Sequence, residues 1–332
     1  MLNLNLHQLH VFLTAAEALN FTQAAQQLEM TQPSVSQHIQ SLEEHFGLPL
    51  FFRVGRGIEL TDAGLVLVPL ARELVYLATH MDETMASLTG DIHGHLIVGC
   101  STSTGRYILP KVLASFHKEY PLVRATCLVS PQSESLQMLS EGKAHLALAS
   151  NPPFLQDIEF HQITTEKIVL IAPKNHPWAQ QGAINVDELH SGHFILPEEG
   201  SEVFASVREA LADLGCSLYQ LDTLICLGSL EAIALSVQEC LGVGFVPELL
   251  VHRLVPQGVA IIPINGACIQ REVYIGRNQR RPATAAQQAF WELLVSTTPT
   301  FWKSLQGKKP RTDSLVKQRP DAFRAEEVTP SD

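Results

Sequence analysis

Apolar side chains along the first ninety residues return every three or four positions, the mark of helices with one buried face. Leu6, Leu9, Leu13 and Ala16 share one side of a helix predicted around Leu4–Leu19. A break at Asn20–Phe21 leads into TQAAQQL, for which Thr22 is the expected N-cap. Met30 and Thr31 then turn the chain into TQPSVSQHIQSLEEHF, residues 31–46. There Val35, Ile39, Leu42 and Phe46 fall within an arc of about 60° and form the expected buried face. Leu50–Arg53 and Ile58–Leu60 read as two short strands around VGRG. From Thr61-Asp62 one long helix follows to about residue 89, roughly 40 Å at the usual rise. Leu67, Leu70, Leu74, Leu77, Met81, Met85 and Leu88 make a near-heptad stripe along it. So narrow a stripe predicts pairing with a second copy of the chain; packing on its own domain is the alternative.

From His95 onward the period changes to strand–helix alternation. LIVGC, RATCLV, HLALAS, IEFHQI, KIVLIAP, LDTLICL, VGFVP, VAIIPI and REVYIG are the predicted strands. Helices are predicted up to Tyr120, over SESLQMLSEG, around Val203–Leu214, over Leu230–Cys240 and from Ala283. Such alternation predicts an α/β domain with parallel sheets and helices on both faces. Its length suits two lobes, one of about 95–163 plus 268–305 and the other of about 164–267. Beyond Leu305 Lys, Arg, Pro, Asp and Glu dominate, and residues 306–332 are expected to be a disordered tail.

Composition narrows the function classes. At 332 residues and 45% hydrophobic the chain is globular and long enough for two or three domains. No signal peptide is legible at Met1, and apolar runs such as LVLVPLA fall short of the roughly 20 residues of a membrane span. A cytoplasmic protein with no membrane partner is expected. The six cysteines, none in a CxxC pair, are expected to be buried small hydrophobes in a reducing compartment. His93 and His95 lack acidic or thiol neighbours at ligand spacing, so no metal site and no cofactor are assigned. The net charge of −11 counts against a polyanion partner unless a local patch supplies contacts.

The other face of the helix over 32–46 carries Pro33, Ser36, Gln37, Gln40 and Glu44, with Gln32 at its tip. A turn of three or four residues joins it to the preceding helix, the helix-turn-helix spacing. Gln is a bidentate partner for adenine, Ser can bond base edges or phosphates, and Pro can touch a thymine methyl. Read alone, the face fits an ordinary polar surface equally well. Its neighbours favour DNA: Arg53 and Arg56 sit on or beside a hairpin where each can neutralise a phosphate. A dimerising helix follows, as a reader of a palindromic site requires.

Residues 6–64 resemble the winged helix-turn-helix of the LysR-type transcriptional regulators. FTQAAQQL, TQPSVSQHIQSLEEHFGLPLF and LTDAG carry the likeness, and they span nearly the whole N-terminal domain. The resemblance implies a winged helix-turn-helix over 1–60, a dimerisation helix over 61–89 and an effector domain over 90–305 akin to type 2 periplasmic binding proteins. It implies double-stranded DNA as partner, with Thr22, Thr31, Gln32, Pro33, Ser34, Ser36, Gln37, Gln40, Arg53 and Arg56 as contacts. A homodimer or tetramer, a small-molecule effector and RNA polymerase complete the implied partners. One departure stands out: the family's aspartate–arginine pair after Leu-Phe is Phe52-Arg53 here. Residues 1–89 hold three arginines against nine acidic residues, a net charge of −6 with His neutral, which predicts a shallow salt dependence.

Effector chemistry is expected at the carboxyl ends of strands, against helix starts. Four clusters fall there: Ser101-Thr102-Ser103-Thr104, Ser150-Asn151, Glu199-Gly200-Ser201 and Gly228-Ser229. Hydroxyls and free N–H groups suit a small anionic metabolite; helix capping is the competing role for each Ser or Thr. Arg106 is a further anion candidate, with an outward-facing salt bridge as the alternative. STSTGRYILP resembles the matching stretch in regulators of carbon fixation or sulfur assimilation. No GxSxG, HExxH, Walker loop or CxxC is present, so no catalytic residues are assigned and no enzyme is expected. The alternative, a solute-binding protein without sequence-specific DNA binding, leaves residues 1–89 unexplained.

Overall fold

The computed structural model describes residues 4–297 except residues 56 and 89. The tail over 306–332 lies outside the described residues. Three helices open the chain: α1 (Leu6–Ala18), α2 (Phe21–Gln27) and α3 (Gln32–Phe46). Asn20, not Thr22, caps α2; its side chain accepts from Thr22 N at 2.9 Å and Gln23 N at 3.2 Å. Asn20 has the extended backbone of an N-cap, which turns its Oδ1 onto those amides, and Thr22 becomes an exposed helical residue. Thr31 does cap α3, and Gly47 closes it in the left-handed region at φ 69°.

Leu9, Phe12, Val35, Ile39, Leu42 and Ala71 form the N-terminal core. Two expected core residues lie outside it: Leu6 and Phe46 are exposed. Each sits at a helix end, where no neighbouring helix reaches over it. The wing is an antiparallel hairpin of β1 (Phe51–Val54) and β2 (Gly57–Leu60). Glu43 fastens it to α3, accepting from Leu50 N at 2.7 Å and Phe51 N at 3.3 Å. Helix α4 (Asp62–Ser87) then starts against the wing, where a Cβ on Gly64 would stand 2.3 Å from Leu50 O. The glycine of LTDAG is there for that approach.

Leu70, Leu74, Leu77, Met81, Met85 and Leu88 are exposed along α4, while Leu67 packs on the N-terminal core. The helix has the length and hydropathy of a membrane span. Arg72 and Glu73 at its centre argue otherwise, because both are held in ion pairs. Arg72 meets Glu17 at 3.1 Å, and Glu73 meets Arg281 at 3.3 Å.

The remainder is a two-lobed α/β domain. Its first part runs β3 (Gly94–Cys100), α5 (Thr102–Tyr107), α6 (Leu109–Glu119), β4 (Val123–Val129), α7 (Gln132–Glu141) and β5 (Leu146–Ser150). β6 (Ile158–Pro173) crosses into the second part. There follow α8 (Pro177–Gln181), β7 (His193–Pro197), α9 (Glu202–Ala212), β8 (Asp222–Leu227), α10 (Leu230–Gln238), β9 (Val243–Pro247), α11 (Glu248–Leu254) and β10 (Val259–Ile262). β11 (Gln270–Asn278) and α12 (Ala285–Ser296) return to the first. The strand order is β4-β3-β5-β11-β6-β9-β7-β8, with β10 also on β6.

Three sequence expectations change. IEFHQI and KIVLIAP are one continuous strand, β6, since no residue between them breaks the extended backbone. The sheet is mixed rather than parallel, because β11 runs antiparallel to β5 and β6, and β6 runs antiparallel to β9 and β10. A chain that leaves one lobe and comes back must reverse direction at the joint. HFILP forms β7, a strand the pattern of apolar runs left unassigned, and it pairs parallel with both β8 and β9. Separate cores fill the lobes, one around Phe116 and Phe290 and the other around Phe194 and Phe245. Of the cysteines, Cys100 and Cys216 are buried; Cys127, Cys226, Cys240 and Cys268 are exposed, two of them on the terminal strands β4 and β8.

Candidate functional site

Helix α3 presents Gln32, Pro33, Gln37 and Gln40 to solvent, with Ser34 and Ser36 half-buried beside them. Thr31 Oγ1 accepts from Ser34 N at 3.4 Å, so this pair sets the helix start. Gln32 Nε2 donates to Ser36 Oγ at 2.7 Å, which holds two polar tips one turn apart in a fixed relation. Gln40 Nε2 donates to Glu44 Oε1 at 3.0 Å, placing a carboxylate next to the distal end of the face. Arg53 is exposed on β1, opposite Ile58 across the hairpin. Arg56 lies outside the described residues. Thr22 stands exposed at the start of α2. The structure thus gathers the α3 residues on one solvent-facing edge with the wing following directly.

Between the lobes, Ser101, Ser103 and Thr104 are buried at the start of α5. Ser101 Oγ lies 3.2 Å from Thr104 Oγ1, and Thr104 Oγ1 donates to Ser101 O at 3.1 Å. Although Ser101 occupies the N-cap position, its side chain caps no backbone amide. Thr102 is exposed and Gly200 is open to solvent. Ser150 Oγ is buried with no hydrogen-bond partner among the described residues, while Gln132 clasps the Ser150 backbone. Other predicted residues also bond the backbone, each through one acceptor oxygen. Asn151 Oδ1 accepts from Glu272 N at 3.0 Å, Ser201 caps α9 through Phe204 N at 3.1 Å, and Ser229 caps α10 through Ala232 N at 3.3 Å.

Arg271, Glu166, Glu202, Tyr107 and Glu231, none of them among the expected site residues, organise this cleft, and Arg106, expected as an anion ligand, is ion-paired to Glu231. Arg271 on β11 is wholly buried. Its guanidinium donates to Glu166 on β6 at 2.6 Å, Glu202 on α9 at 3.2 Å and Ser103 on α5 at 2.7 Å. A second tie joins α5 to α10: Arg106 meets Glu231 at 2.7 Å, and Tyr107 OH donates to the same carboxylate at 2.7 Å. Burial opposes ionisation of Glu231, but hydrogen bonds from Tyr107, Arg106 and Ser229 outweigh it and hold its carboxyl down at about 2. Glu202 and Glu231 lie in the first turns of α9 and α10. They fill, from within the chain, the places at helix N-termini that an anion favours. Arg271 could be sought in sequence as a lone cation entering an apolar strand, REVYIG. Nothing in the spacing announces which carboxylates it meets.

A winged helix-turn-helix head on a long helix, joined to a two-lobed body with a polar cleft, defines a regulator that couples DNA to a small molecule. Residues 6–65 match the model of the bacterial regulatory helix-turn-helix protein, lysR family, and residues 89–299 match the LysR substrate binding domain. The chain belongs to the LysR family of transcriptional regulators, with a DNA-binding and an effector-binding domain. Among curated relatives, the transcriptional activator CmpR of Synechocystis is 28% identical over 300 residues, covering 89% of this chain and 96% of its own. A probable RuBisCO transcriptional regulator of Synechocystis is 30% identical over 289 residues, covering 86% of this chain and 84% of its own. These relatives are regulators rather than enzymes. Full-length OxyR from Pseudomonas aeruginosa shares the fold at TM-score 0.67 and 21% identity, over 89% of this chain and 95% of its own. CbnR bound to its target DNA does so at TM-score 0.63 and 22% identity, over 88% of this chain and 99% of its own.

Proposed function

We propose that dimers of this regulator read a dyad operator through the exposed edge of α3, with Gln32, Ser36, Gln37 and Gln40 at base edges and Pro33 at a thymine methyl. The observation that carries the reading is the uncharged N-terminal part of the α3 face, from Gln32 to Gln40, preset by the Gln32–Ser36 hydrogen bond and followed by the wing. Thr22, Thr31, Ser34, Arg53 and Arg56 position the backbone through phosphates. Dimers form through the exposed α4 stripe, pair into tetramers, and work from the cytoplasm with RNA polymerase. The 1–60, 61–89 and 90–305 divisions serve as head, dimerisation helix and effector domain. Likeness to relatives named for RuBisCO control supports a target in carbon fixation.

The effector is a small anionic metabolite seated between the lobes at Ser101, Thr102, Ser103, Thr104, Ser150, Asn151, Gly200, Ser201 and Ser229. The unpartnered Ser150 Oγ supports that placement. Because Arg271 and the helix starts already hold carboxylates, the effector enters by exchange. Its oxyanion replaces Glu202, whose side chain is 20% exposed and can turn to water. Like replaces like at the guanidinium, so no additional buried charge is created, and one lobe-to-lobe tie is released.

Filter binding and footprinting on DNA upstream of the chain's own gene test the reading. Gln32→Ala should weaken specific binding by about 1–3 kcal/mol and leave random DNA unaffected, whereas Arg53→Ala should weaken both alike. A dimer that protects no dyad at low salt would overturn it.

A further inference from the structure

A second polar cavity, of about 340 Å³, lies where α4 meets the effector domain. Tyr76 from α4 lines it together with His145, Arg277, Asn278, Arg281 and Gln287. Two hydrogen-bond donors there have no partner among the described residues: Arg281 Nη1 and Gln287 Nε2, both cut off from bulk solvent. Gln287 is 94% buried by its 6% exposure. Its amide orientation is set by the chain, because Oε1 accepts from Thr284 N at 3.3 Å, which leaves Nε2 as the group without a partner. Tyr76 brings the two together: its hydroxyl reaches Gln287 Oε1 at 3.4 Å, and Arg281 lies over its ring at 5.3 Å.

A third donor follows from His145. Its Nδ1 accepts from Ile97 N at 3.1 Å, so the neutral ring carries its proton on Nε2. Burial, with His95 and Arg281 adding to it, pushes this histidine down to about 4 and keeps it neutral near pH 7. Among the charged residues lining the cavity, Arg277 and Arg281 face the single carboxylate of Glu159. Arg277 is already satisfied by Glu159 at 2.7 Å and Gln288 at 3.1 Å. Arg281 uses Nη2 for Glu73 and for Glu141 O, so Nη1 remains. Both arginines have a carboxylate partner, so it is the unpaired donors, one of them on a guanidinium, that call for acceptor oxygens.

We propose that this junction cavity is a second ligand site, separate from the cleft between the lobes, and that it binds a small oxyanion, a carboxylate or a phosphoryl group. The anion accepts from Arg281 Nη1 and Gln287 Nε2 without displacing Glu73. It therefore adds a contact at the joint where α4, which carries the DNA-binding head, docks on the body. Its effect on transcription rests on the regulator reading above; its binding does not.

Calorimetric titration of the full chain with sodium succinate and, separately, inorganic phosphate tests the site with no DNA present. Saturable binding of either anion is expected, and the one that binds identifies a carboxylate or a phosphoryl ligand. Gln287→Glu keeps an oxygen for Thr284 N and turns the donor into an acceptor. It should weaken binding at least tenfold with an unchanged circular dichroism spectrum. Arg281→Gln should do the same and decides the matter if Gln287→Glu fails to fold. No saturable heat from either anion, or equal affinity in both variants, overturns the proposal. Loss in Ser103→Ala with retention in Gln287→Glu overturns it too, by assigning the heat to the cleft between the lobes.

Discussion

Replacing Arg271 by methionine isolates the charge at the centre of the domain, since the straight side chain keeps much of the packing volume. The guanidinium is fully buried, and the Glu166 side chain is only 7% exposed. Removing the cation leaves Glu166 buried with no opposite charge, which costs about 3–5 kcal/mol. Loss of the bond to Ser103 adds about 1 kcal/mol, whereas Glu202 returns to water at little cost. Urea unfolding followed by tryptophan fluorescence measures the effect. At about 3 kcal/mol/M for the slope, the midpoint should fall by more than about 1 M. Arg271→Met combined with Glu166→Met removes both charges and should recover at least half the loss, because no ion remains unpaired. A single variant that loses less than about 1 kcal/mol, or a double variant no more stable than the single, would refute the account.

Gly64→Ala should lower the stability of the N-terminal domain by about 1–3 kcal/mol in thermal melts, since its Cβ meets the Leu50 carbonyl at 2.3 Å and backbone cannot yield cheaply. Stability should also fall as pH drops from about 6.5 towards 4. His145 ionises near 6.5 in the unfolded chain but at about 4 when folded, so the unfolded state takes up the proton first. The contribution is at most about 3 kcal/mol. His145→Asn, which keeps an acceptor for Ile97 N, should flatten that slope in urea midpoints taken across the range.

The head of this protein was largely legible from its sequence. Val35, Ile39 and Leu42 at helical spacing, a Thr-Gln-Pro start and paired strands around Gly55 are local signals, and each governs a residue's immediate neighbours. Where two such signals competed, the local reading slipped: Asn20 and Thr22 both suit a helix cap, and backbone geometry favoured Asn20. The body was legible as α/β alternation, but not in its strand directions. Antiparallel pairing of β11 with β6 joins residues about a hundred positions apart, and no short window of sequence records that.

Periodicity and motif thus determined which segments are helices or strands, the exposed face of α3, and the family. Which hydroxyls are free was decided by tertiary structure. Ser201 and Ser229 turned out to cap helices, while Ser150 Oγ was left unpaired. Only folding brings Arg271 to Glu166, Glu202 and Ser103, or Tyr76 to Arg281 and Gln287. The reason is physical: helix and strand preferences act over a few residues along the chain. Burying and pairing a charge depends on whichever distant groups the packed lobes bring within about 3 Å.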